Sequence, residues 1–174
     1  MIVKINDLKK IRKEFGNKKV VAVIGSFDLF HYEHLRFLKS AKELGDVLVV
    51  IVKDDFIVSL KNENRPIICK EQRADILDSI KYVDYVVLAT KEEYQKTQSI
   101  LSVQCDEKCQ QWLYSFYTIF KNLRPDVLYH EDTEYLSFAR KYVSQKLGIK
   151  LVERKRTAII TTTKIIEKIK QTKN

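Results

Sequence analysis

Uninterrupted apolar runs alternate along this chain with stretches whose apolar residues recur every three or four positions. The runs at 20–24, 47–52, 82–88 and 126–129, and a weaker one at 150–152, lie among charges and lack polar alternation, Asp84 being the one charge inside 82–88 and Asp126 opening 126–129. That is the pattern of strands buried on both faces of a parallel sheet. The segments between them, 35–44, 70–80, 94–121 and 135–147, carry apolar side chains at helical spacing. Alternation of this kind predicts an α/β fold, a doubly wound parallel sheet of about five strands with helices on both faces and right-handed crossovers. In such sheets ligands bind outside the carboxyl ends of the strands, where the strand order reverses, so the residues just after each run carry the chemistry.

The segment after the first run is Gly25-Ser26-Phe27-Asp28-Leu29-Phe30-His31-Tyr32-Glu33-His34. A strand becomes a helix here. A helix start offers unpaired N–H groups and the positive end of its dipole, and a preceding glycine lets an anion approach the main chain. His31 and His34, three apart, fall on one face of the first turn. A second candidate phosphate site lies near the end of the chain, where Arg156, Thr157 and the run Thr161-Thr162-Thr163 precede a periodic helix from 164. One threonine suffices as a cap; three beside an arginine exceed that need. The segments Lys53-Asp54-Asp55, Asn64-Arg65-Pro66 and His130-Glu131-Asp132 also follow strands or lie in loops that reach the same crevice.

A length of 174 residues suits one domain spanning 1–174, and 45% apolar content argues against disorder. The longest uncharged apolar run, 47–52, is far below a membrane span, and charges interrupt the opening residues, so a cytoplasmic protein with no membrane partner is expected. Three cysteines cannot all pair within one chain and read as buried or idle thiols. The net charge of +9 attracts anions. Much of that excess punctuates helical positions in 9–19 and 164–173, a solvated face, which favours small phosphorylated molecules over nucleic acid. Trp112, Tyr114, Phe116, Tyr117 and Phe120 mark the segment 90–122, long for one crossover, as a helix that faces the core or forms a homodimer.

The decamer resembles the G-x-F-D-x-x-H-x-G-H motif of the cytidylyltransferase-like nucleotidylyltransferases, which carry it on a Rossmann-like sheet. Arg156-Thr157-Ala158-Ile159-Ile160-Thr161-Thr162-Thr163 is similar to their R-T-E-G-I-S-T-T. Segments between the two motifs match in the expected order, with 90–122 set apart as an insertion. The opening helix and Arg65-Pro66-Ile67 resemble the heptose-phosphate adenylyltransferases, and Arg156-Thr157 resembles glycerol-3-phosphate cytidylyltransferase. This resemblance implies transfer of CMP or AMP from CTP or ATP, with Mg²⁺, to a small phosphorylated sugar, polyol or amino-alcohol, with pyrophosphate released; cytidylyl transfer is the favoured form. By the same resemblance Gly25, Ser26, Phe27, His31, His34, Arg156, Thr157, Thr161, Thr162 and Thr163 hold the nucleotide. His31, His34, Lys61 and Arg156 are the expected catalytic groups, with no metal ligand among the side chains. Asp28, Glu33, Arg73, Lys81 and Asp132 are the expected acceptor contacts.

The chain departs from the motif at Glu33, where the family has glycine, and at Ala158 and Ile159, where it has an acid and a glycine. A carboxylate repels a neighbouring triphosphate unless it turns aside, holds a metal ion or meets a cationic acceptor. The alternative to an active transferase is therefore a catalytically degenerate relative that binds a nucleotide or a protein. A metal-dependent hydrolase built on His31, His34 and Asp28 is a further reading of the same spacing.

Overall fold

A computed structural model describes residues 1–60, 62–100, 104, 106–131, 137–155 and 159–172. Its sheet has six parallel strands in the order β1 (Ile2–Val3), β4 (Tyr85–Leu88), β3 (Val47–Val52), β2 (Val20–Gly25), β5 (Val127–Glu131) and β6 (Lys150–Arg154). The sixth strand is β1, two residues paired to the edge of β4, too short to show as a pattern in the sequence.

Successive residues of the central strands point to opposite faces, and each face has its own apolar cluster. Val20, Ala22, Val47, Val49 and Ile51 pack with α1 (Leu8–Glu14), α6 (Glu107–Leu123) and α7 (Ser137–Leu147). Val21, Val23, Leu48, Val50 and Val52 pack with α2 (Tyr32–Lys42) and α4 (Lys70–Asp78). Burial on both sides explains the unbroken apolar runs.

The segment expected as one long helix is two, α5 (Lys91–Ile100) and α6, and a short α3 (Asp55–Ser59) follows β3. Of the core-facing and dimer-forming alternatives for α6, its described aromatics take the first: Trp112, Phe116 and Phe120 are buried in the cluster shared with β2 and β3. Cys69 is an exposed free thiol, but Cys109 is buried and disulfide-bonded, which corrects the expectation of idle thiols.

Three carboxylates fasten the amino ends of the strands. Asp126 accepts from Val20 N–H (2.7 Å), Asp84 from Leu48 N–H (2.7 Å) and Asp46 from Lys19 N–H (2.8 Å). The opposite, carboxyl ends are thereby left to the loops that form the site.

Candidate functional site

The order β3-β2-β5 reverses direction at β2, and a cleft of about 660 Å³ opens over its carboxyl end. Gly25, Ser26, His31, Glu33 and His34 line it together with Thr161, Thr162 and Thr163, while Lys53, Asn62, Arg65, Trp112, His130 and Arg140 complete the wall. The turn between β2 and α2 is tightly wound: Phe27 and Leu29 have φ of 50° and 47°, the left-handed region side chains seldom adopt. Phe27 folds back beneath Gly25, where an added Cβ would lie 2.6 Å from the ring. Only glycine fits there.

His31 and His34 stack with ring centroids 3.9 Å apart, and Phe27 meets His34 edge-on at 5.4 Å. Burial, helped by the neighbouring His31 ring, pushes the His34 imidazole down to about 3, and burial also lowers His31. Both rings are neutral at pH 7. The His31 N–H donates to His34 Nδ1 (3.4 Å), so the proton of His34 sits on Nε2. His31 Nδ1 is buried with no partner. Each ring therefore brings hydrogen-bonding capacity to a helix N-terminus without a charge to be neutralised first.

The two distant motifs meet. Thr162, at the start of α8 (Thr162–Gln171), donates its hydroxyl to the Asp28 carbonyl at 2.9 Å, across 134 positions of sequence. Thr161 caps the same helix by accepting from Lys164 N–H (3.2 Å). Two helix N-termini, α2 and α8, thus converge on one cleft. The hydroxyl of Thr162, expected on a phosphate, is used in holding the two motifs together.

Several expected acceptor contacts are engaged by other protein groups or lie away from the cleft. Asp28 is 1% exposed, and its carboxylate accepts from Arg65 Nε (2.7 Å) and from the N–H groups of Ile67 and Ile68 (both 3.0 Å). Burial works to raise its pKa, but these donors outweigh it and hold the carboxyl below the usual range. Such a carboxylate pins the 65–68 loop, and both of its oxygens are engaged within the protein.

Arg73 is wholly buried and donates to the carbonyls of Ser26, Lys53 (2.8 Å) and Ile68 (2.9 Å) and to Asp55 (2.6 Å). It buttresses the turn from behind, all its described hydrogen bonds going to protein groups. Lys81 follows α4 and precedes β4, hence lies at the amino end of the sheet, opposite the cleft, with its ammonium over the Tyr82 ring. Lys61, Asp132, Arg156 and Thr157 lie outside the described residues. Among those described, no group of three or more His, Cys, Asp or Glu side chains is placed to hold a metal ion.

Glu33 reaches under the cleft wall and is 4% exposed. Arg36 lies 3.3 Å from Oε1 and Arg154, at the end of β6, lies 3.7 Å from Oε2. Two guanidiniums balance the carboxylate, so the charge expected to repel a triphosphate is compensated. Beyond them His130 sits between Arg140 and Glu153, the latter 3.2 Å from Nε2. Arg154 escaped the sequence reading because it ends the weakest strand; a basic residue closing a buried strand at the carboxyl edge is the signal that marks it.

A sequence model described as cytidylyltransferase-like matches residues 22–173, both motifs included. The chain belongs to the cytidylyltransferase-like family. Relatives of this cytidylyltransferase-like chain include the bifunctional protein HldE of Helicobacter pylori strain P12, 30% identical over 172 residues, 98% of this chain and 32% of that protein. The FAD synthase of Pyrococcus abyssi is 47% identical over 74 residues, 42% of this chain and 50% of that one. The chain thus spans about a third to a half of the length of these relatives.

Two solved structures share the fold. The pantoate-beta-alanine ligase of Francisella tularensis aligns with a TM-score of 0.72 at 16% identity, covering 98% of this chain and 77% of that one. A lipopolysaccharide core biosynthesis protein of Thermoplasma volcanium aligns at 0.57 with 23% identity, covering 82% and 100%. Among the described residues of the cytidylyltransferase-like chain no helix is long and apolar enough to cross a membrane.

Proposed function

We propose that the chain is a nucleotidylyltransferase that moves a nucleoside monophosphate from a nucleoside triphosphate to the phosphate of a small sugar, polyol or amino-alcohol, releasing pyrophosphate. The observation that carries this reading is the Thr162–Asp28 link, which draws two helix N-termini and the stacked histidines around one cleft.

The chemistry asks little of a base. An acceptor phosphate is already ionised near pH 7, and its oxygen attacks the α-phosphorus as the bridging bond to pyrophosphate breaks. What the protein supplies is alignment and hydrogen-bond donors to the charge that develops on the phosphoryl oxygens. The imidazoles at the α2 start and the N–H groups of α2 and α8 are suited to that work, and Lys61 and Arg156 are proposed to add charge from the adjoining loops. Mg²⁺ is proposed to arrive on the nucleotide, held by phosphate oxygens and water, since it is bound in phosphate sites by few protein groups. The Asp28 carboxylate is engaged by Arg65 and two amides, which accords with a metal carried in this way.

The name of one relative, FAD synthase, favours ATP as donor, FAD being an adenine dinucleotide, while the family to which the chain belongs is cytidylyltransferase-like. The test is pyrophosphate release from ATP and from CTP, each with a panel of sugar, polyol and amino-alcohol phosphates. Release with one pairing, abolished in His34→Ala, supports the reading. Tight nucleotide binding with no release from any pairing assigns the chain to the silent relatives.

A further inference from the structure

Glu33 stands where the family motif has glycine, and its surroundings give it a use. Its Oε2 is buried and without a hydrogen-bond partner, and so is Nη1 of Arg154, whose other terminal nitrogen approaches Glu33. A buried carboxylate oxygen and a buried guanidinium N–H left open side by side are costly in a bare protein. Glu33 lines the cleft, next to the stacked histidines, and Arg154 lies against Glu33 at the end of β6.

Position decides what completes them. Glu33 lies on the same helix turn as His31 and His34, so a group joined directly to the phosphates held there comes within its reach. In a nucleotide that group is the ribose. Charge points the same way: the acceptor brings a phosphate of its own, which a carboxylate would repel, while the ribose is neutral. Lys53 and Arg65 line the other side of the cleft, where an anionic acceptor is better placed. A vicinal diol matches the open pair, because one hydroxyl donates to Oε2 and the oxygen of the other accepts from Nη1.

We infer that Glu33 and Arg154 form a subsite for the ribose 2′- and 3′-hydroxyls, making this chain selective for ribonucleotides through a residue that replaces the motif glycine. This inference rests on the nucleotidylyl-transfer reading of the cleft. It makes Glu33 a recruited group instead of a block.

The test is equilibrium binding, with Mg²⁺, of ATP and CTP against their 2′-deoxy and 2′,3′-dideoxy counterparts and against inorganic tripolyphosphate. The native protein should bind the ribonucleotides about tenfold or more tightly than the dideoxy forms, as hydrogen bonds to charged groups require. In Glu33→Gly and Glu33→Gln that preference should fall to within about threefold, with tripolyphosphate binding nearly unchanged. Equal binding of ribo and dideoxy nucleotides by the native protein overturns the subsite and leaves the transfer reading standing. An undiminished preference in both variants overturns it equally. Failure of any nucleotide or tripolyphosphate to bind overturns both.

Discussion

The two sides of the histidine turn use buried charge in opposite ways. On the β3 side the buried charges of Asp28 and Arg73 are consumed within the protein: both oxygens of Asp28 are hydrogen-bonded, and Arg73 reaches three carbonyls and Asp55. On the β6 side the Glu33–Arg154 pair is loose, at 3.7 Å, and one atom of each has no partner. Complete satisfaction marks a scaffold, whereas a buried polar atom left open beside a cleft asks for an explanation, which the proposed subsite supplies. Proximity to the cleft alone does not separate these roles; hydrogen-bond completion does.

The contrast breaks first if the scaffold side proves dispensable. Arg73→Ala leaves Asp55 and three carbonyls without their donor and should cost about 3–5 kcal/mol in urea unfolding at pH 7. Glu33→Gln keeps the shape of the side chain and has no hydrogen bond at Oε2 to lose, so it should cost clearly less than Arg73→Ala. Equal losses in the two variants would dissolve the distinction. Next in size is the ligand side itself. His34→Ala should keep its fold by circular dichroism yet lose about 10²–10³ in turnover, the effect of removing one preorganised donor. Unchanged turnover would take His34 out of the proposed transfer.

Much of this architecture was legible because physics left the pattern little freedom. Strands β2, β3 and β5 are buried on both faces and so read as unbroken apolar runs. The histidine and threonine motifs announce themselves as helix starts. What escaped was anything set by tertiary partners. Arg73 and Lys81 look alike in sequence, two basic residues on or beside one helix, but one is sealed behind the turn and the other lies at the far end of the sheet. Asp28 looks like an acid offered to a ligand until the amides of Ile67 and Ile68 are brought to it by the 65–68 loop. Glu33 reads as a defect until Arg154, 121 positions away by subtraction of their numbers, is folded against it.

The neutral state of the imidazoles sharpens the comparison in a different currency. Burial lowers His34 to about 3 in the native protein, against about 6.5 when unfolded. Below pH 6.5 the unfolded chain therefore binds a proton that the native chain refuses. This part of the stability is complete above pH 6.5 and is lost as pH falls toward 3, with a slope of up to about 1.4 kcal/mol per pH unit. His34→Gln should flatten that part of the profile in unliganded protein. Identical slopes between pH 6 and pH 4 would show that His34 protonates freely and is not enclosed as described.

The smallest effect belongs to Lys81, and it tests whether the polarity of the sheet is right. In a parallel sheet all carboxyl ends lie on one side, so a residue that leads into a strand is a full strand length from one that leaves it. Lys81 leads into β4, beside Asp84, whose carboxylate binds Leu48 N–H near the amino end of β3. The cleft opens past Gly25 and Lys53, at the other ends of β2 and β3. Its ammonium touches only the Tyr82 ring among the contacts described, an exposed cation–π pair of little energy. Lys81→Ala should therefore leave urea stability within about 0.5 kcal/mol and turnover within about twofold. A tenfold loss of turnover would mean that a substrate reaches the amino ends of the strands, and the site would have to be moved to the opposite edge of the sheet.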